Sequence, residues 1–126
     1  MVLETPEIGL LVVTVAFMLL DIVTGLAKGA KAGALDSKIM REGLWHKAGF
    51  VGLVALAYAL QFASGVADLG IDVPAVSAVC VFIILTEAVS VAENLCALNP
   101  AIASSPLGKV LAGHGSDTDD DAQSGD

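Results

Sequence analysis

Apolar and polar positions alternate along this chain on the scale of whole helices. Three long apolar runs, residues 8–27, 48–67 and 73–92, are separated by short polar connections. Each is about 20 residues long, enough to cross about 30 Å of hydrocarbon as an α-helix. The middle run holds no charged residue and has Gln61 as its conspicuous polar position, whereas the outer two hold one carboxylate each, Asp21 and Glu87. The pattern predicts an all-α integral membrane protein with three transmembrane helices.

Polar residues within the outer runs are not scattered. At 100° per residue, Thr86, Glu87, Ser90, Glu93 and Asn94 gather on one side of the third helix. Thr14, Asp21, Thr24, Gly25 and Lys28 share a side of the first. A carboxylate facing lipid costs roughly 2.5–3.5 kcal/mol, so both stripes must be hidden against protein or wetted. Counted from the ends of the first and third runs that lie on one side of the membrane, Asp21 and Glu87 fall at nearly the same depth. Two neighbouring carboxylates resist ionising together, so they are expected to share a proton or to take a cation from Lys28 or Lys47, whose stems can snorkel along a helix. Either arrangement requires the two stripes to face each other, within one chain or between chains.

The connections carry their own signals. Gly25, Gly29 and Gly33 recur every four residues, a spacing that either lets another backbone approach closely or loosens a helix end. Asp36 is a candidate N-cap, with Leu35 and Met40 at the hydrophobic-staple positions. A short helix from Ser37 is expected to lie at the membrane surface, ending in Trp45, His46 and Lys47 as an interfacial belt. In the second run Gly52, Ala55, Ala59 and Ala63 form a stripe of small residues, read either as a packing face or as the abundance of alanine. Pro74 opens the third run, and Asn99-Pro100 ends it or its extension. Residues 1–112 are assigned to the membrane domain, and residues 113–126, rich in Gly, Ser and Asp, to a disordered acidic tail.

Composition supports this reading. The chain of 126 residues is 56% hydrophobic and only 16% charged, against about 25% charged in soluble domains. A soluble bundle of such helices lacks the outer shell it would need at this length. The net charge of −8 hides an asymmetry. Lys28, Lys31, Lys38, Arg41 and Lys47 lie in the first connection against Asp36 and Glu42, while the tail holds Asp117, Asp119, Asp120, Asp121 and Asp126. The positive-inside rule places that connection in the cytoplasm, the N-terminus outside and the tail inside. Glu4 and Glu7 precede the first run without a basic flank, unlike a cleaved signal peptide. Cys80 and Cys96, about 24 Å apart on one helix, cannot bridge within the chain.

No enzyme is indicated. The sequence has no zinc-protease motif, no CxxC pair and no glycine-rich phosphate loop, and no cofactor, metal or nucleic acid is expected. Physics leaves three readings of the stripes. They bind or relay an ion or proton as a channel or transporter subunit, they drive self-assembly, or their carboxylates merely pair with Lys28 or Lys47 in a structural subunit.

Three motifs bear on the choice. They are Asp21-Ile-Val-Thr24-Gly25-Leu-Ala-Lys28, then Asp36-Ser37-Lys38 through Gly43-Leu44 and Lys47, and finally Glu87-Ala-Val-Ser90-Val-Ala-Glu93-Asn94-Leu95. In this order and spacing they resemble the phage holin family, in particular the branch that includes toxin-secretion holins. The resemblance spans residues 17–100; Thr86 stands where the family has Asn, and the tail is acidic where many holins end basic. It implies a non-enzymatic homo-oligomer of the host inner membrane that opens lesions in the bilayer. Those lesions release an endolysin, or a toxin, that need not touch it. It also carries over Asp21, Thr24, Gly25, Glu87, Ser90, Glu93 and Asn94 as assembly or lesion-lining residues, and favours contact of the two stripes between chains.

Overall fold

The computed structural model describes residues 5–70 and 74–110. Its elements are α1 (Thr5–Ala32), α2 (Ser37–Val66), α3 (Ala75–Leu98) and the single turn α4 (Pro100–Ala103), and residues 106–110 are helical as well. The first three hold 28, 30 and 24 residues, or about 42, 45 and 36 Å at 1.5 Å per residue. All three are long and apolar enough to cross a membrane, and the chain is a multi-pass, all-α membrane protein. The acidic tail proposed for residues 113–126 lies outside the described residues.

Local chemistry sets the helix ends. Gly33 takes φ 65°, a left-handed conformation that costs glycine little. Its N–H bonds Ala30 O (3.2 Å) while Ala34 N–H reaches back to Gly29 O (2.9 Å), the pair of bonds that closes a Schellman cap. Asp36 caps α2 as its sequence context predicts, its carboxylate accepting from Lys38 N (2.9 Å). Pro74 precedes α3 and supplies no side-chain cap. Gln61 of α2 takes over that task, its Oε1 accepting from Val76 N (2.8 Å). At the other end of α3, the Lys31 ammonium donates to the carbonyls of Ala97 (3.2 Å) and Leu98 (2.8 Å), where a cation also suits the helix dipole.

One expectation needs correcting. The short surface helix from Ser37 is not separate, because α2 runs unbroken from Ser37 to Val66. Residues 37–47 have no Pro and no turn signal, so nothing stops the helix before the apolar run begins. The stripe of Gly52, Ala55, Ala59 and Ala63 does not mediate packing within the chain either. Gly52, Ala55 and Ala59 face outward, and Ala57 is the buried small residue.

α3 is the central element. It packs against both α1 and α2, which meet each other only weakly. Ala57, Val76 and Cys80 form a core where α1 begins, α2 ends and α3 begins, flanked by Leu10, Leu11, Tyr58 and Val79. Phe50 sits edge-on to His46 (4.7 Å) and Phe82 (6.2 Å). Large side chains such as Val12, Leu19, Leu56, Phe62 and Leu85 point outward, as a lipid-facing surface requires. The buried interior is narrow, and much of it is polar, with Thr14, Thr24, Lys47 and Glu87 all within it.

Candidate functional site

Three of these buried groups, Thr24, Lys47 and Glu87, join the half-buried Asp21 and Asn94 in one cluster built from three helices. α1 contributes Asp21 and Thr24, α2 contributes Lys47, and α3 contributes Glu87 and Asn94. Lys47 Nζ lies 2.6 Å from Asp21 Oδ2 and 2.8 Å from Glu87 Oε2. Glu87 is 1% exposed and Lys47 8%. One ammonium therefore bridges the two carboxylates whose equal depth the sequence pointed to.

The second oxygen of Asp21 is served by α3. Asn94 Nδ2 donates to Asp21 Oδ1 (3.1 Å) and to Thr24 Oγ1 (3.0 Å), which uses both of its amide hydrogens. Thr24 passes its own proton to Leu20 O (2.8 Å), and Thr14 likewise closes on Leu10 O (2.7 Å). Gly25 lies beside this contact, where a Cβ would stand 3.7 Å from Asn94 Nδ2. That is an ordinary contact distance, so the amide would still fit beside an alanine here.

The structure thus joins Asp21, Thr24, Gly25, Glu87 and Asn94 of the predicted stripes. It leaves the other stripe residues out of the network: Thr14 and Thr86 bond carbonyls of their own helices, Lys28 is exposed, Ser90 is half-buried on α3 and Glu93 faces outward. Helical phase explains the split. At 100° per residue Asn94 lies about 20° from Glu87, Ser90 about 60° and Glu93 about 120°. The first and third stripes face each other within one chain, so the carboxylates need no second chain to be paired.

Lys47 is the residue that sequence reading placed least well. Its charge makes it a candidate cation for the carboxylates, yet its neighbours Trp45 and His46 point to an interfacial belt. Because α2 starts at Ser37, Lys47 stands about 15 Å along that helix, at 1.5 Å per residue, and not at its mouth. Gln61 was visible only as a lone polar residue in an apolar run. The missing side-chain cap at Pro74 was the signal that α3 needed an acceptor from elsewhere.

The cluster ties helices together and removes two carboxylates from contact with lipid. Leaving one carboxylate unpaired at this depth is costly. Among the described residues no group of His, Cys, Asp or Glu is arranged to hold a metal ion.

No curated protein and no solved structure matches the chain. The model of the bacteriophage holin family matches residues 2–111. That range takes in the three long helices, the caps between them and every member of the Asp21–Lys47–Glu87–Asn94 cluster. This three-helix membrane protein belongs to the bacteriophage holin family.

Proposed function

We propose that the chain is a lesion-forming holin. It accumulates in the cytoplasmic membrane of the host, oligomerises, and opens lesions through which an endolysin or toxin passes without needing to bind it. It works without catalysis and without a cofactor. In this reading the N-terminus is outside, the 28–47 connection inside, and residues 1–112 form the membrane domain ahead of an acidic cytoplasmic tail at 113–126.

The observation that carries the reading is the closure of the ion-pair cluster within one chain. With Glu87 1% exposed and both carboxylates bonded to Lys47, a single copy keeps the charges of this cluster away from its outer surface. Separation of the helices in an assembly would turn Asp21, Thr24, Glu87 and Asn94 outward. Those groups then need water or new partners, which is what the wall of an aqueous lesion supplies. Ser90, half-buried beside the cluster, would widen that polar face, whereas Glu93 already faces outward on another line of α3.

A small ion- or proton-coupled channel would use Asp21 and Glu87 as well, and one experiment separates the two. The chain is induced in bacteria with and without a cytoplasmic endolysin. A holin causes abrupt loss of viability alone and lysis only when the enzyme is present. Growth that continues in both cultures would overturn the lesion-forming reading.

A further inference from the structure

The 33–36 connection brings α1 and α2 together at one end without closing the space between them. A cleft of about 640 Å³ opens there, room for part of an amphiphile and within the range of small-molecule pockets. Ile22 and Leu26 of α1 line one wall, and Ile39, Met40 and Leu44 of α2 line the other. The wall is mostly apolar, yet the cleft also reaches Asp21, Lys28, Asp36, His46 and Lys47.

Most of those charges are already used. Asp21 bonds Lys47 and Asn94, Lys47 is shared with Glu87, and Asp36 caps α2. The Lys28 ammonium lines the cleft and is bonded to no other described residue. An apolar slot with one unbonded ammonium at its wall suits an amphiphile with an anionic head, because the chains avoid water while the head meets the Lys28 charge.

We propose that this cleft binds an anionic phospholipid, with its acyl chains against Ile22, Leu26, Ile39, Met40 and Leu44 and its phosphate against Lys28. The site is independent of lesion formation. It is read on the purified full chain, so failure of lysis and failure of lipid binding are separate results.

The test is native mass spectrometry of the full chain released from mixed vesicles of phosphatidylglycerol and phosphatidylcholine. The wild type is expected to retain phosphatidylglycerol in preference to phosphatidylcholine. Lys28→Gln should cut that preference about fivefold, the loss of one cation near an anionic surface. Gly43 also lines the cleft, and a Cβ there meets nothing within 4 Å. Gly43→Phe should therefore fill the slot and lower retention of both lipids. Equal retention of the two lipids by the wild type, or a preference unchanged in Lys28→Gln, would overturn the proposal. So would disulfide-linked dimers of Ile39→Cys in a Cys80→Ser, Cys96→Ser background, which assign the cleft to a second copy. Carbodiimide coupling of Lys28 to a carboxylate of residues 111–126 in the presence of phosphatidylglycerol would assign it to the tail.

Discussion

Replacing Lys47 with methionine tests the cluster at its centre. The substitution keeps a long, flexible stem and removes only the ammonium, so packing between the helices is largely retained. It leaves the Glu87 carboxylate, 1% exposed, without its bond to Nζ (2.8 Å). Asp21 suffers less. Its side chain is 18% exposed, and Asn94 still donates to Oδ1 (3.1 Å). The cost is therefore that of one orphaned buried charge, about 3–5 kcal/mol, and not twice that. At 1.4 kcal/mol per decade this is a factor of roughly 10²–10³ or more in the folding equilibrium. Titrating the full chain from mild detergent into a denaturing one, and following helix loss and Trp45 fluorescence, measures it. Adding Asp21→Asn and Glu87→Gln to Lys47→Met should restore most of the loss, because no charge is left to desolvate. A single variant within about 1 kcal/mol of wild type would refute the reasoning, since that is the worth of an exposed pair. A triple variant no better than the single would refute it too, by locating the cost in packing.

Glu87→Gln keeps the shape of α3 and an acceptor for Lys47 while removing one of two carboxylates. The protein should insert normally but lyse at an altered time or form no lesions, and wild-type timing and lethality would remove the stripe from the assembly step. Gln61→Leu deprives Val76 N–H of its acceptor. It should cost about 1 kcal/mol, like loss of an ordinary N-cap, with faster hydrogen exchange at Val76, whereas Gln61→Glu should leave that amide protected. A cysteine placed at Ser37 or Ser116 should resist an impermeant thiol reagent in intact cells. Labelling at either from outside would reverse the proposed orientation.

Much of this architecture was legible because the membrane makes sequence patterns strict. Three apolar runs, two carboxylates at matching depth and the Asp36 cap follow from burial cost and backbone hydrogen bonding. Other features were less legible. Hydropathy marks where lipid contact begins, not where a helix begins, so the pattern alone starts the second span at residue 48 and leaves Lys47 at the surface. A snorkelling lysine is compatible with either position, and only the continuity of the helix through residues 37–47 decides between them. Similarly, a stripe drawn at 100° per residue is wide enough to include Glu93, but contact with α1 is confined to the narrower line through Glu87 and Asn94. The three glycines at 25, 29 and 33 share a spacing but not a task. Gly33 closes a cap, Gly29 sits where a Cβ would press on Leu35 at 3.1 Å, and Gly25 faces Asn94.

The order of the three charges along the chain has a consequence for biosynthesis. Asp21 leaves the ribosome first and Lys47 second, while Glu87 follows only after a further helix has been made. At about 5–20 residues per second, α1 waits a second or more before its counter-charge exists. During that interval an isolated α1 in lipid carries an unanswered carboxylate worth roughly 2.5–3.5 kcal/mol. α1 and α2 therefore gain by entering the bilayer together as a hairpin, with Asp21 and Lys47 paired on the way in. α3 then brings Glu87 to an ammonium already in place, and its arrival completes the fold as the last step of insertion.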